Sequence, residues 1–160
     1  MQISLTRIEE IDKVMGIYDE ARLFMRLNGN LEQWNNGYPQ KEVVLEDIAL
    51  KRSFAIKKDD DIIAVFAFIN GNDETYRYIE GSWPNDEPYG VIHRIASNHQ
   101  EKGILHLAVE YCFQYVNNMR IDTHKDNIPM QKALEKEGFH RCGIIYLKNG
   151  DPRIAYHKKR

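Results

Sequence analysis

A polar turn containing a glycine joins a mostly apolar stretch to an amphipathic one near the middle of the chain. The turn runs from Asn98 to Gly103, after the β-prone residues 89–96. The residues after it place one apolar stripe on a helix: Ile104, Leu107, Ala108, Tyr111, Cys112 and Tyr115. A helix starting near Gly103 directs unpaired backbone N–H groups and its positive dipole end at the turn, which favours a phosphate. By itself, the junction fits an ordinary α/β connection equally well.

A second segment, residues 120–139, has the pattern of a strand followed by a capped helix. Apolar and polar residues alternate over 119–124, as in a strand with unlike faces. Asn127 is a good N-cap, and Gly138 stands where a left-handed residue would end the helix. Phe139 can then pack back on Leu134.

These two segments together resemble the acetyl-coenzyme A motif of the GNAT superfamily of N-acetyltransferases. Residues Gln100 to Gly103 fill the first four places of its pattern Gln/Arg-x-x-Gly-x-Gly/Ala, and Leu105 stands at the last place, where the family usually has a small residue. The resemblance implies acetyl-coenzyme A as cosubstrate, with its pyrophosphate at the turn and its pantetheine arm beside the preceding strand. Asn127 would contact that arm, although capping alone would also explain it. The residues implied in cofactor binding are Ile95, Ala96, Ser97, Gln100, Glu101, Lys102, Gly103, Ile104, Leu105, His106, Asn127 and Met130.

Acetyl transfer from a thioester to an amine needs a neutral amine and a polarised carbonyl, and holding the reactants together can supply much of the rate. His93 and Glu80 are the candidates for the base. An imidazole can accept a proton near neutral pH, and Glu80 has acidic neighbours that would raise its pKa. A core histidine, a solvated glutamate and a water chain are the alternatives.

The group that protonates the leaving thiolate is a separate question. Many family members place a tyrosine in the helix after the asparagine, where this chain has Leu134. Tyr146, in the penultimate predicted strand, is a candidate substitute, although a tyrosine of the core or hairpin fits the same position. Cys142 could also donate, but a buried small hydrophobe is the simpler interpretation.

Three aromatic residues are candidates for binding the acceptor. In the GNAT topology, the loop around Trp34 and Tyr38 falls where the acceptor enters, and Trp83 lies on the same general side. Aromatic walls with an acidic rim suit a cationic amine, which predicts a small-molecule or peptide amine. Aromatics that cover the open edge of the core would give the same pattern.

Composition bounds the class of protein. The chain has 160 residues, 42% hydrophobic and 29% charged, with a formal charge of -2. This predicts one domain over residues 1–160 and gives no basic field for nucleic acid. Two cysteines without a disulfide framework, and no apolar run near the length of a membrane span, favour a cytoplasmic protein. The six histidines lack the spacing of a zinc site, so no metal is expected, and monomer and homodimer stay open.

The predicted elements position these residues. A strand at 2–5, a helix opened by a Thr6/Glu9 capping box and reaching Gly29, and a helix at 41–50 come first. Strands follow at 54–57, 62–69, 76–80 and 89–97, then the two segments described above and a hairpin of 140–147 with 153–157. This order, with the GNAT resemblance, implies an α+β fold with α/β/α layers, a mixed, mainly antiparallel sheet and a C-terminal hairpin.

Two functional hypotheses follow. One is an acetyl-coenzyme A-dependent N-acetyltransferase that acts on a primary amine, by direct transfer in a ternary complex. The other is a coenzyme A-binding module of the same fold with little or no turnover, because Leu105 and Leu134 both depart from the family pattern and a fold does not guarantee its usual chemistry.

Overall fold

One eight-stranded sheet runs through the computed structural model, which describes all 160 residues. The strands are β1 (Gln2–Leu5), β2 (Ser53–Lys58), β3 (Asp61–Asn70), β4 (Glu80–Gly81), β5 (Gly90–Ser97), β6 (Asn118–Thr123), β7 (His140–Tyr146) and β8 (Pro152–Lys159). The helices are α1 (Ile11–Leu27), α2 (Lys41–Ala49), α3 (Ile104–Cys112) and α4 (Ile128–Lys136). The strand order is β1-β2-β3-β5-β6-β8-β7-β4, and every neighbouring pair is antiparallel except β5 with β6. This confirms the predicted mixed sheet and its C-terminal hairpin.

The helices divide between two main core clusters. Side chains of α3 and α4 pack with β3, β5 and β6, whereas those of α1 and α2 pack with β2 and β3. Residues Ile62 to Ala67 are all buried, as expected for a strand covered on both faces. None of the helices combines the length and the apolar composition that crossing a membrane would need.

The predicted ends of α4 are confirmed. The Asn127 side chain accepts a hydrogen bond from the Met130 backbone N–H at 3.1 Å, which satisfies one of the free donors of the first turn. At the other end, Gly138 has φ +94°, and the Phe139 N–H donates to the Leu134 carbonyl. Leu134 and Phe139 are both buried in the same cluster.

Two local predictions are wrong. The Thr6/Glu9 capping box does not form. Instead, the Glu10 side chain accepts a hydrogen bond from the backbone N–H of Arg7, at 2.8 Å. The Thr6 hydroxyl instead accepts from Ser53 and ties β1 to β2. The strand expected at 76–80 is a single 3₁₀ turn at Glu74–Tyr76, followed by the two-residue strand β4. Asp73 caps that turn by accepting from the Thr75 N–H, so local side-chain bonding overrides β propensity here.

The parallel strands β5 and β6 pair only at their starts. Their register comprises Gly90 with Met119 and Val91 with Arg120, and beyond these pairs the strands separate. On its other edge, β5 pairs with β3 through a bulge at Arg94 and Ile95, where Arg94 has φ +50°. A bulge bends the strand that carries it. The sheet therefore opens between the ends of β5 and β6.

A buried arginine packs beside the paired part of these strands. The Arg120 guanidinium lies 4.0 Å from the ring centroids of both Trp83 and Tyr89, and it donates to His157 Nδ1 at 3.3 Å. His157 Nε2 lies 2.9 Å from the Asn118 side-chain oxygen. With Nε2–H donating to Asn118, Nδ1 must stay unprotonated to accept from Arg120. Burial, and then the nearby Arg120, lower the pKa of His157 to about 4.

This buried histidine predicts how stability depends on pH. A histidine whose pKa is lower in the folded than in the unfolded state stabilises the fold above the unfolded pKa, near 6.5, and that contribution is lost as the pH falls toward about 4. The free energy of unfolding should therefore fall by roughly 3 kcal/mol over this window because of His157 alone. Urea denaturation at pH 7.5 and pH 4.5 should show a smaller loss in His157→Gln than in the wild type.

The exposed His140, paired with His157 across the hairpin, provides the matched control. His140→Gln should keep the wild-type difference between the two pH values. An equal loss of stability in wild type and His157→Gln would contradict the assignment of a neutral, buried imidazole.

Candidate active site

A cleft of about 740 Å³ opens where β5 and β6 separate. Ile92 to Ile95 of β5 line one wall, and Ile121 to Thr123 of β6 line the opposite wall. The loop with Trp34 and Tyr38 closes one side, and residues 147–149 and Asp151 of the hairpin turn border another. Beyond Val91, β5 has no hydrogen-bonded neighbour on this edge, so backbone groups there face the cleft.

A buried ion pair fixes the bulge at the cleft wall. Arg94 donates from Nε and Nη2 to the two carboxylate oxygens of Asp47, both at 2.8 Å, and Asp47 is buried. Arg94 Nη1 also donates to the Tyr38 hydroxyl, and the Tyr18 hydroxyl donates to the Arg94 carbonyl. Burial lowers the pKa of Arg94, but its bonds to Asp47 and Tyr38 outweigh burial, so the pKa lies above its usual value. Residues from α1, α2 and the 34–38 loop thereby hold the bent strand.

His93, one residue before the bulge, forms a pair with Asp73 in the cleft. Its Nε2 lies 2.7 Å from Asp73 Oδ2, and Asp73 Oδ1 accepts from the Thr75 N–H and hydroxyl. Burial alone would raise the pKa of Asp73, but the hydrogen bonds from His93 and Thr75 lower it to about 2. The carboxylate is therefore ionised and orients the ring as an Nε2–H donor, which leaves Nδ1 as the acceptor.

The other two catalytic candidates lie together, outside the cleft lining. The Tyr146 hydroxyl donates to Glu80 at 2.7 Å. The pKa of Tyr146 is raised mainly by this hydrogen bond, and to a smaller extent by burial and by the charge of Glu80. Trp83 is also absent from the cleft lining, because its ring stacks on Arg120 and its Nε1 donates to the Tyr76 carbonyl. The structure thus brings His93, Trp34 and Tyr38 together and places Glu80, Tyr146 and Trp83 elsewhere.

The turn after β5 has the features that a phosphate needs. Gly103 precedes α3 with φ +79°, and a Cβ there would meet no atom within 4 Å. The backbone N–H groups of Ile104, Leu105 and His106 donate to no acceptor in the chain. The partly buried Leu105 side chain packs against the core cluster of α3. Two contacts hold the turn in place: the Lys58–Glu101 ion pair and the stacking of Phe24 on His99.

The β6 wall of the cleft also fits a polar ligand. The Thr123 hydroxyl, on a residue only 1% exposed, has no hydrogen-bond partner, although buried polar groups are ordinarily paired. Nearby, the Asn127 side-chain N–H donates to Gln33 at 2.9 Å, which links α4 to the loop across the cleft. Predicted contacts Ile95, Asn127 and Met130 line the cleft, whereas Gln100 to His106 lie beyond the end of β5.

One group of side chains lies close enough to share a metal ion. His106, Glu110 and Glu137 offer ligand atoms within 4.8 Å of one another at the surface. His106 Nδ1 lies 2.8 Å from Glu137, and Lys158 lies 3.8 Å from the same carboxylate. These contacts account for the cluster as a surface ion-pair network.

Sequence reasoning missed Asp73, Arg94, Asp47 and Arg153. Asp73 stands two residues before Thr75, the spacing at which an aspartate caps a turn, so the sequence could have predicted this turn. Arg94 interrupts an apolar strand, and a charge inside a buried strand indicates a partner. Nothing in the sequence pairs it with Asp47, because that contact joins residues 47 apart.

Comparison with known proteins gives the family. No protein-family model and no curated protein matches the sequence. An acetyltransferase of the GNAT family from Streptococcus agalactiae is 32% identical, with a TM-score of 0.90 over 99% of this chain and 95% of that chain. A putative acetyltransferase from Staphylococcus aureus is 24% identical, with a TM-score of 0.71 over 99% of both chains.

A ribosomal-protein-alanine N-acetyltransferase from Brucella melitensis shares the fold alone, at 14% identity and a TM-score of 0.64 over 100% of both chains. Sequence identity above 30% across nearly the whole chain, together with the opened sheet and the glycine turn, agrees with the resemblance read from the sequence. The chain belongs to the GNAT family of acetyltransferases.

Proposed function

We propose that this protein is an N-acetyltransferase that moves an acetyl group from acetyl-coenzyme A to the primary amine of a small molecule, by direct transfer in a ternary complex. One observation carries the proposal. The cleft at the opened β5–β6 pair holds the oriented His93–Asp73 pair, and the turn with free backbone donors follows directly after β5.

The two parts divide the work of binding and chemistry. Free N–H groups and the helix dipole at Ile104 to His106 suit the pyrophosphate of coenzyme A. From there the pantetheine arm would pass between β5 and β6, where the unpaired Thr123 hydroxyl and the β5 edge offer polar contacts. That path ends beside His93 and the bulge.

The chemistry then needs a base in reach of the amine. The amine nitrogen attacks the thioester carbonyl, whose oxygen accepts from the free edge of β5. The amine proton passes to His93 Nδ1, directly or through one water, and Asp73 stabilises the imidazolium that forms. The C–S bond breaks, and the thiolate takes a proton from solvent to give coenzyme A and the amide.

Cofactor binding should depend on Gly103. Gly103→Glu places a carboxylate beside the free N–H groups and strains a backbone at φ +79°, so acetyl-coenzyme A should no longer raise the melting temperature. Thermal denaturation with and without acetyl-coenzyme A measures this effect.

Gly103→Asn is the matched control, because asparagine tolerates the left-handed conformation and the space around Cβ is open. This variant should keep most of the melting-temperature rise. Undiminished affinity in a folded Gly103→Glu protein would remove the phosphate assignment.

The base assignment predicts a change in pH profile. In the wild type, kcat/KM for an amine should rise with pH, because the reaction needs a free base as well as a neutral amine. His93→Ala should lower kcat/KM by roughly 10²-fold and leave only the pH dependence of the amine itself, because the protein's proton acceptor is gone. Asp73→Asn should lower kcat, because the carboxylate that orients His93 and stabilises the imidazolium is gone, and it should raise KM, because a charge that attracts the ammonium ion is gone as well. Thiol release measured from pH 5.5 to 9 gives both quantities.

Glu80→Gln and Tyr146→Phe test the rival assignment. Both residues lie outside the cleft, so these variants should keep the wild-type pH profile. If Glu80→Gln lost the pH dependence of kcat/KM and His93→Ala kept it, Glu80 on β4 would be the base instead of His93.

Binding of coenzyme A without thiol release from any amine would favour the alternative, a binding module. The buried Leu134, at the position of the family's tyrosine, also fits that alternative.

A further inference from the structure

Arg153, at the start of β8, is a buried cation without an ion-pair partner. It is only 8% exposed, yet it lines the cleft. Its one hydrogen bond is a donation from Nη1 to the carbonyl of the adjacent Pro152, at 2.9 Å. No ion pair in the structure includes it. Burying a charge in this way is costly unless something compensates it.

The other arginines near the cleft are compensated. Arg94 makes a two-point ion pair with Asp47, and Arg120 is stacked between two aromatic rings and hydrogen-bonded to Asn85 and His157. Arg153 has neither a two-point ion pair nor stacked rings. Burial lowers the pKa of Arg153, and the attraction of Asp122 and Asp151 offsets this only in part, because neither carboxylate forms an ion pair with the guanidinium. Four of the five N–H donors of its guanidinium are therefore free of protein acceptors, in the planar arrangement that matches a carboxylate or a phosphate.

Strand register places Arg153 on the same sheet face as the proposed base. Asp122 of β6 is opposite Ala155 of β8, and Arg153 lies two residues before Ala155, so both side chains are on one face. Val91 of β5 is opposite Arg120 of β6, which puts His93 and Asp122 on that face as well. The buried Tyr76 packs on this face, and its hydroxyl donates to Asp122 at 2.7 Å.

On one face the cleft thus presents carboxylates near His93 and a guanidinium one strand farther away, with Asp122 close to both. Asp73 and Asp122 lie near His93, where the amine must arrive, and an ammonium ion would be attracted to these carboxylates before it loses its proton. Arg153 lies toward the hairpin turn, one strand farther from β5. A molecule that carries only an amine would leave four N–H donors of this guanidinium without an acceptor.

We propose that the acceptor is a small zwitterion, a primary amine that also carries an anionic group, carboxylate or phosphate, bound by the guanidinium of Arg153. This deepens the proposed function, on which it rests for the reaction but not for binding. In this assignment Arg153 determines specificity. The simplest acceptors that carry both groups are free amino acids and phosphorylated amino alcohols.

Equilibrium binding tests the assignment without turnover. The full chain, alone and saturated with coenzyme A, is titrated calorimetrically with a panel of free amino acids, with their amides, and with phosphoethanolamine against ethanolamine. At least one amine that carries an anionic group should bind 10-fold or more tightly than its counterpart without that group. Arg153→Gln should bring that ratio close to 1, a loss of roughly 10-fold or more, because charge-assisted hydrogen bonds are lost.

Two variants serve as controls. Lys136→Gln removes the same charge from an exposed position on α4 and should leave the ratio unchanged. Arg153→Lys keeps the charge without the planar fork, so it should lower the ratio by less than Arg153→Gln does, and it substitutes for that variant if glutamine prevents folding. Circular dichroism and the melting-temperature rise with acetyl-coenzyme A report folding.

Each outcome separates this inference from the proposed function. Equal binding of acid and amide, an unchanged ratio in the Arg153 variants, or no binding across the panel overturns the inference. Thiol release from amines that lack an anionic group, independent of Arg153, overturns it while the acetyltransferase proposal stands. Arg153-dependent binding of an anionic amine without thiol release supports the inference and removes the proposed reaction. The phosphoethanolamine arm decides between phosphate and carboxylate.

Discussion

The ion pair between Arg94 and Asp47 is the interaction on which the geometry of the cleft depends. An extra residue in a strand must be supported, because it leaves backbone groups outside the ladder. Here two hydrogen bonds of 2.8 Å to Asp47, together with contacts from Tyr18 and Tyr38, hold Arg94 at a positive φ that few residues adopt. The bend stays in place, β5 stays apart from β6, and His93 is held at the edge of the gap.

Charge is distributed unequally between the two faces of the sheet. On one face, Ile92, Ile121 and Ile154 belong to an apolar core under α3 and α4. The opposite face carries His93, Asp122 and Arg153 at neighbouring positions. The cleft passes between these environments, so an apolar wall can bury the cofactor arm while the polar wall selects the acceptor. The same sheet thereby supplies both packing and recognition.

Most of the fold could be predicted because it depends on local pattern. Helix α4 begins and ends where Asn127 and Gly138 predict, since capping is decided within a few residues. The strand predicted at 76–80 is wrong for a local and a tertiary reason: Asp73 caps a turn by accepting from the Thr75 N–H, and a distant contact holds that turn in place. Tyr76 is buried with its hydroxyl on Asp122, a contact 46 residues away, and this fixes a turn where β propensity favoured a strand.

The sequence by itself determined the family resemblance, the glycine turn and the order of elements, because each of these depends on residues close together in the chain. It also selected His93, but it could not supply Asp73 as its partner, or Arg94 and Asp47 as the support of the bulge. Trp83 shows the converse: its aromatic ring suggested an acceptor wall, but in the folded chain it covers Arg120. The tertiary structure alone decided these pairings, because strand register sets which distant side chains share a face, and register depends on packing that no local pattern encodes.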